Sequence, residues 1–422
     1  SWVSAARDIT KDFAEARSPD GRYVVRYAPG PDAVLVPYAL DAMQRADKAI
    51  EAHLGIRLPS PIRLEIYPSA RTLSQVSSLT LEHIETTGTV ALCKWNRLMI
   101  ASPRSLVFGY PWLDTINHEL VHLALTHKSL NQAPVWFHEG LAKLFERTWR
   151  GLTPQSFLPP STDALLVAAA HQHRLIPFER MHPSIAMLPS QEDAALAFAQ
   201  VVTFLEAFRA RKGDDGLAQA IAGMARGEDA RVALSKVAGE PFESLEGFWR
   251  DGLATRPESS KKQAPKELKL RFVERGEADE SLDVAEERAR KHLRVGDLLW
   301  GRNHTLGAAR EYERAQGYAP SDPILASRVA RASLTSQNAN RALSAVERAL
   351  SDHPQHAPLQ ALKGAALVQL GKPADALEPL REAIRLNPFD PGPHCELVRA
   401  SQDPGEVTRE RSACTQLGGR AP

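Results

Sequence analysis

Three positions recur along the last third of the chain at one fixed spacing. Ala308, Ala342 and Ala376 stand 34 residues apart, as do Ala315, Ala349 and Ala383, and Pro320, Pro354 and Pro388. A period of this length marks a supersecondary unit that cannot bury its apolar face alone and must stack on copies of itself. Alanine at two fixed places lets paired helices nest, and a proline closing each period stops one helix before the next begins. The spacing predicts about three helical pairs from roughly residue 290 to 391, followed by one or two capping helices.

Such an array leaves the first part of the 422-residue chain to form a second core of its own. Residues 1–19 read as a short helical lead ending at the turn Ser18-Pro19-Asp20-Gly21. Tyr23, Val25 and Tyr27 alternate as a strand, the residues from Val36 to Leu54 carry helical spacing closed by Gly55, and Ile62 to Tyr67 reads as a second strand. Ser69 to Thr87 is polar and partly helical, Leu98 to Ala101 is a short strand, and residues 161–252 read as helices. Arg256 to Lys266 is polar, poor in apolar residues and flanked by prolines, the composition of a linker. A charged helix is expected from Ser281 to about Trp300. The boundaries expected are therefore a first domain over 1–255, a linker and charged helix start over 256–289, and a helical repeat domain over 290–422.

Chemistry concentrates between Thr115 and Glu146. His118, Glu119 and His122 form H-E-x-x-H, and at about 100° per residue the two histidines share one helix face while Ile116, Leu120 and Leu123 point the other way. Two imidazoles so placed can grip one ion. Glu119 projects off their shared axis, which suits a carboxylate that polarises water held by the ion. Sixteen residues separate His122 from Glu139, enough for the first helix to end near His127 and a return helix, opened by Pro134, to bring Glu139 beside the histidines. Two His and one Glu leave a tetrahedral zinc one open position, the arrangement of catalytic sites.

The run Trp136-Phe137-His138-Glu139-Gly140-Leu141-Ala142, taken with H-E-x-x-H, resembles the gluzincin metallopeptidases and especially their bacterial peptidase-MA-like branch. The resemblance implies an α+β zincin-like domain with a small N-terminal sheet and a helical C-terminal part. It implies one zinc ion held by His118, His122 and Glu139, with Glu119 as general base, and it lets Gly140 and Ala142 bring the second helix close to the first. In this family the strand before the metal helix commonly edges the cleft, which would place Trp95 to Ala101 along the substrate groove; an ordinary interior strand is the alternative. No Gly-x-Met-Glu-Asn stretch stands at Leu98 to Ser102, so an endopeptidase is expected rather than an exopeptidase. These enzymes usually add a Tyr or His to stabilise the oxyanion. Phe198 stands where related sequences often show Tyr; Tyr110, His171 and His173 are possible substitutes, His127 and His138 flank the site, and the residue stays unassigned.

Ala376 to Pro388 resembles the second helix and closing proline of a tetratricopeptide repeat, which implies an all-α solenoid that engages a protein partner. The reading is a zinc-dependent endopeptidase acting on peptide or protein substrates, with repeats that recruit or orient a partner. The alternative is a tetratricopeptide interaction protein whose metallopeptidase-like domain is weak or inactive. With 52 basic and 51 acidic residues the net charge is +1, which argues against nucleic acid or an anionic membrane as the principal partner. No apolar run is long enough to span a membrane, and the first residues lack the pattern of a signal peptide, so any such segment was removed or never present. Of three cysteines, Cys395 and Cys414 fall in two successive helices where a bridge is expected if the protein is exported, leaving Cys93 free. Periplasmic or secreted localisation in a bacterium is the corresponding expectation.

Overall fold

Five short strands make one sheet in the order β1-β2-β3-β5-β4 in this computed structural model, which describes residues 2–258, 271–273 and 280–420. The strands are β1 (Ala14–Arg17), β2 (Tyr23–Tyr27), β3 (Ile62–Tyr67), β4 (Ala91–Lys94) and β5 (Arg97–Ala101). β2, β3 and β5 run parallel, and β1 and β4 close the two edges antiparallel. β1 corrects the expected all-helical lead, since the opening helix α1 (Trp2–Thr10) stops before it. β4 is a second strand absent from the sequence reading. It turns back into β5 through Trp95 and Asn96, both left-handed at φ 52° and 60°, the two-residue hairpin geometry that follows strand twist.

The crossover from β2 to β3 is α2 (Val36–Leu54), as its spacing predicts: Ala39, Met43, Ala46 and Ile50 are buried against the sheet, and Gly55 ends the helix at φ 62°. Short helices α3 (Ala70–Val76) and α4 (Leu81–Thr87) precede β4. α5 (Trp112–Lys128) and α6 (Val135–Phe145) then form a pair. Around it lie α7 (Pro160–His171), α8 (Gln191–Ala225, broken at Gly213), α9 (Ala230–Ala238) and α10 (Phe242–Ala254). Trp136, Phe178, Phe204, Phe242 and Trp249 stack edge-on between these helices, with Phe178 and Phe204 centroids 4.9 Å apart. Gly140 serves a different neighbour from the one expected: a Cβ there would stand 2.9 Å from Leu205 and 3.0 Å from the Val201 carbonyl, so the close approach is to α8, not α5.

The expected linker lies outside the described residues beyond Glu258. The charged helix begins later than expected, as α11 (Glu287–Gly301) after a single tight turn at Glu280–Asp283. α11 pairs with α12 (Thr305–Tyr318), α13 (Pro323–Thr335) with α14 (Ala339–Leu350), and α15 (Ala357–Gln369) with α16 (Pro373–Leu386); α17 (Pro391–Ala400) and α18 (Pro404–Gln416) cap the stack. These are tetratricopeptide-like pairs, and all six periodic alanines are buried. The period has one more member, Gly296, Ala330 and Gly364: a Cβ at Gly296 would meet the Tyr312 ring at 2.5 Å, and one at Gly364 would meet Leu380 at 2.4 Å. Cys395 and Cys414 are bridged, joining α17 to α18, and Cys93 is free.

The two halves are welded. Leu380 and Ile384 of α16, Leu397 of α17 and Ala413 of α18 belong to the same buried apolar cluster as Trp112 and Trp136. Tyr38 of α2 donates to Glu410 at 2.8 Å, and His394 Nδ1 lies 2.6 Å from the same carboxylate oxygen. The segment Ser105–Tyr110 touches both the stretch ahead of α11 and the repeat half. It pairs with residues 271–273 through Val107 N–H to the Arg271 carbonyl (3.0 Å) and Val273 N–H to the Ser105 carbonyl (2.7 Å), stacks Phe108 on His356 (4.8 Å), and donates Tyr110 N–H to the Leu386 carbonyl (2.9 Å).

Candidate metal centre

α5 presents His118 and His122 on its cleft face, half-buried, while Ile116, Leu120 and Leu123 are buried on the opposite side. Two polar anchors fix the helix. Asp114, one turn before His118, accepts from Trp149 Nε1 (2.8 Å), Arg150 Nε (2.8 Å) and Arg150 Nη2 (2.6 Å). Arg150 Nη1 in turn donates to Glu382 of α16 at 2.8 Å, so a buried chain of charge runs from the motif helix into the repeats. Asn117 Nδ2 donates to the Phe145 carbonyl at 2.7 Å and ties the end of α6 to α5. α6, entered through Pro134 as its N-cap, carries Glu139 to the histidines.

The resulting geometry is tight. His118 Nε2 and His122 Nε2 are 3.0 Å apart, Glu139 Oε2 is 3.6 Å from the first, and Glu139 Oε1 is 3.7 Å from the second. Three donors holding one ion tetrahedrally at 2.0–2.2 Å stand about 3.3–3.6 Å from one another. The two imidazole nitrogens stand a little closer than that and each faces its own Glu139 oxygen at about that distance, so the donor set suits a single small divalent cation. The Glu119 carboxylate also lies within 4.8 Å of both imidazoles.

Electrostatics separate the two carboxylates. Against the cost of burial, His118 and His122 hold the Glu139 carboxyl down at about 2, whereas burial lifts that of Glu119 to about 7, the Glu139 charge adding to the lift against the pull of His118. Glu139 is thus a permanent anion facing both rings, and Glu119 is a group able to take and return a proton near neutrality. Burial also pushes His122 down to about 3 and lowers His138.

The cleft around these groups encloses about 590 Å³ and is lined by His118, Glu119, His122, His138, Glu139 and Phe198, with Thr89 to Cys93 along one side. That side corrects the expected groove. β5, with Leu98 to Ala101 buried, lies between β3 and β4, so the edge facing the cleft is β4 and its lead-in rather than Trp95 to Ala101. Trp95 instead lines a separate cavity with Arg26 and Arg97. Of the expected oxyanion candidates, Tyr110 donates its hydroxyl to the Ala101 carbonyl at 2.5 Å, and His171 donates to the Arg256 carbonyl at 2.8 Å; His173 is exposed. None of the three lines the cleft. His127 points to Asn96 Oδ1 at 2.8 Å, while His138 does line the cleft, its ring 5.6 Å from that of His122. Sequence reasoning missed Cys93, Thr115 and Lys143, which also line it; position on α5 and α6 relative to the histidines was the available signal for the latter two.

Residues 41–255, just over half of the chain, match the family model described as the peptidase MA superfamily. Solved structures similar to the chain include a thermophilic TPR protein of Thermus thermophilus (24% identity, 31% of this chain and 72% of that one, TM-score 0.28) and MamA from Desulfovibrio magneticus RS-1 (16%, 31% and 73%, TM-score 0.27). The first TPR of Spaghetti, solved with an HSP90 peptide, is 17% identical over 32% of this chain and 98% of that one, with a TM-score of 0.25. No curated protein matches the chain.

Proposed function

Because the chain belongs to the peptidase MA superfamily, we propose that it is a zinc-dependent metallopeptidase, an endopeptidase, whose ligands are His118, His122 and Glu139 and whose general base is Glu119. The observation that carries the reading is the pair of imidazole nitrogens 3.0 Å apart, each facing one Glu139 oxygen at 3.6 and 3.7 Å, with a second carboxylate, that of Glu119, beside them. Zinc bound there would supply Lewis-acid polarisation of water and of the scissile carbonyl. Glu119 takes the proton of the attacking water and hands it to the leaving amine, a task suited to a carboxyl that lies beside both imidazoles. Glu139 stays ionised throughout. Phe198 offers no hydroxyl to the oxyanion, and His138, the remaining ring N–H beside the histidine pair in the cleft, is the group assigned to that contact.

Residues 1–255 form the metallopeptidase half in this reading and 290–422 the repeat half, which recruits a protein partner or substrate. The bridged Cys395 and Cys414 support an exported protein, periplasmic or secreted, in a bacterium. The rival reading, a repeat scaffold with an inactive metal domain, draws on Phe198 alone. Four variants separate the two. Glu119→Gln is expected to retain zinc and lose at least about a hundredfold in peptide cleavage, whereas His118→Ala, His122→Ala and Glu139→Gln lose most of the metal. Zinc content and cleavage of a diverse peptide library are the measurements. A wild-type protein that holds zinc and cleaves nothing gives the scaffold reading its case.

A further inference from the structure

Beside the metal cleft lies a second cavity of about 300 Å³, bounded on one side by Tyr110, Pro111, Phe157 and Pro159 and on the other by Pro354 and His356. It adjoins the cleft, because Val90 and Thr115 line both. Thr115 is three residues before His118 on α5, and Val90 leads directly into β4. The cavity holds roughly ten times the share of one water in the liquid, too much for a packing gap. Tyr110, Phe157, Val90 and three prolines give it an apolar floor, better covered by an apolar group than by water, while Thr115, Ser161, Asp352 and Gln355 add a polar share to the lining.

We infer that this cavity is a substrate subsite that takes one large apolar side chain, aromatic or aliphatic, of a peptide bound across the metal, and that the repeat half supplies its far wall through the loop Asp352–His356. The inference rests on the metallopeptidase reading for what lies in the cleft. β4 is paired with β5 on one side and ends the sheet on the other, so an extended peptide laid along it runs past Cys93 and Leu92 to Val90. At about 3.3 Å per residue, that carries the subsite two or three residues from the bond being cleaved. The wall is rigid where the peptide meets it: His356 caps α15 by accepting from Leu359 N–H and is stacked on Phe108. Pro354, one of the three periodic prolines, is thereby put to use in selecting substrate.

The test uses the zinc-loaded full chain and a set of Ala/Gly/Ser octapeptides in which a single Phe is walked through every position. Wild type is expected to prefer Phe at one position beyond the two flanking the cleaved bond, by roughly tenfold to a hundredfold in kcat/KM. Gln355→Trp, on the repeat loop, and Ser161→Trp, on the opposite wall, should each erase that preference while thermal unfolding stays as in wild type. Cleavage with no such preference, or a preference that survives in both folded variants, overturns the inference. Should no peptide be cleaved, binding of the same peptides to the Glu119→Gln protein by fluorescence anisotropy decides separately. Phe-dependent binding lost in both variants upholds the subsite and sinks the peptidase reading alone, and equal binding of all peptides overturns the subsite.

Discussion

The two halves of the molecule reach burial by opposite means. Around the metal centre the core is bulky, with Trp136, Phe178, Phe204, Phe242 and Trp249 interlocked across several helices. Along the repeats it is mainly aliphatic, with Leu293, Ile324, Leu325, Val346 and Leu359 packed between helices that Ala308, Ala315, Ala342, Ala349, Ala376 and Ala383 let approach. An aromatic core shared by several helices fixes one arrangement in three dimensions, whereas a core divided between stacked repeats fixes only nearest neighbours. The contrast fades along the array. α11 to α14 pack mainly within their own clusters, but α16 to α18 join the core of the first half. The difference teaches that the packing boundary falls inside the repeats and not at the linker.

The strongest test of that boundary is Arg150→Met. It strips Glu382 of its partner from the first half and Asp114 of its main one, and breaking one side of a buried ion pair costs about 3–5 kcal/mol. Both halves are expected to unfold together at a lower temperature, and zinc affinity should fall because Asp114 anchors the helix of His118. Two separate melting steps, with only one of them shifted, would break the comparison by making the halves independent.

Next in size is the bridge. Replacing Cys395 and Cys414 with Ala should cost about 3 kcal/mol in the chain-entropy account of a loop this short. Because α17 and α18 share the first half's core, the loss should appear in denaturant unfolding followed through the tryptophans of that half, and a tryptophan signal blind to the bridge would sharpen the boundary to lie beyond α16.

Smallest at any one step, though it accumulates over several pH units, is a slope with acid. Burial, with His353 adding its charge, pushes His356 from the usual 6.5 down to about 3, and its Nε2 is buried without a partner among the described residues. The folded imidazole is neutral where the unfolded one is charged, so the unfolded chain binds more protons between those values. Stability present above about 6.5 is lost as pH falls toward 3, by up to about 1.4 kcal/mol per unit. His356→Gln should flatten that slope in urea titrations at about pH 7, 6, 5 and 4; an unchanged slope assigns the acid loss to other groups.

Much of this was legible in the residues, and the illegible part has physical reasons. His118, Glu119, His122 and Glu139 could be read because metal chemistry fixes residue type and helix geometry fixes spacing. The helix over Val36–Leu54 and the repeat alanines followed from periodicity. β1, Ala-Glu-Ala-Arg, and β4, Ala-Leu-Cys-Lys, carry little strand propensity, and only sheet topology makes them edges. The groove expected from the residues consequently lies one strand too far in. The weld between halves depends on pairs such as Tyr38 and Glu410, 372 residues apart, for which no local pattern exists.

The segment Ser105–Tyr110 meets the chain ahead of α11, the loop preceding α15 and the end of α16. Open solenoids lengthen and shorten freely, because each new unit needs only a neighbour to lie on. Here the stack is held ahead of its first helix, in its middle and just before its capping helices by six residues of another fold. An additional helix layer, about 10 Å thick, would pull at least one of those contacts apart. Repeat number in this chain is therefore coupled to the segment that leads into the helix of its first histidine, and adding or removing a helical pair would require that approach to be rebuilt.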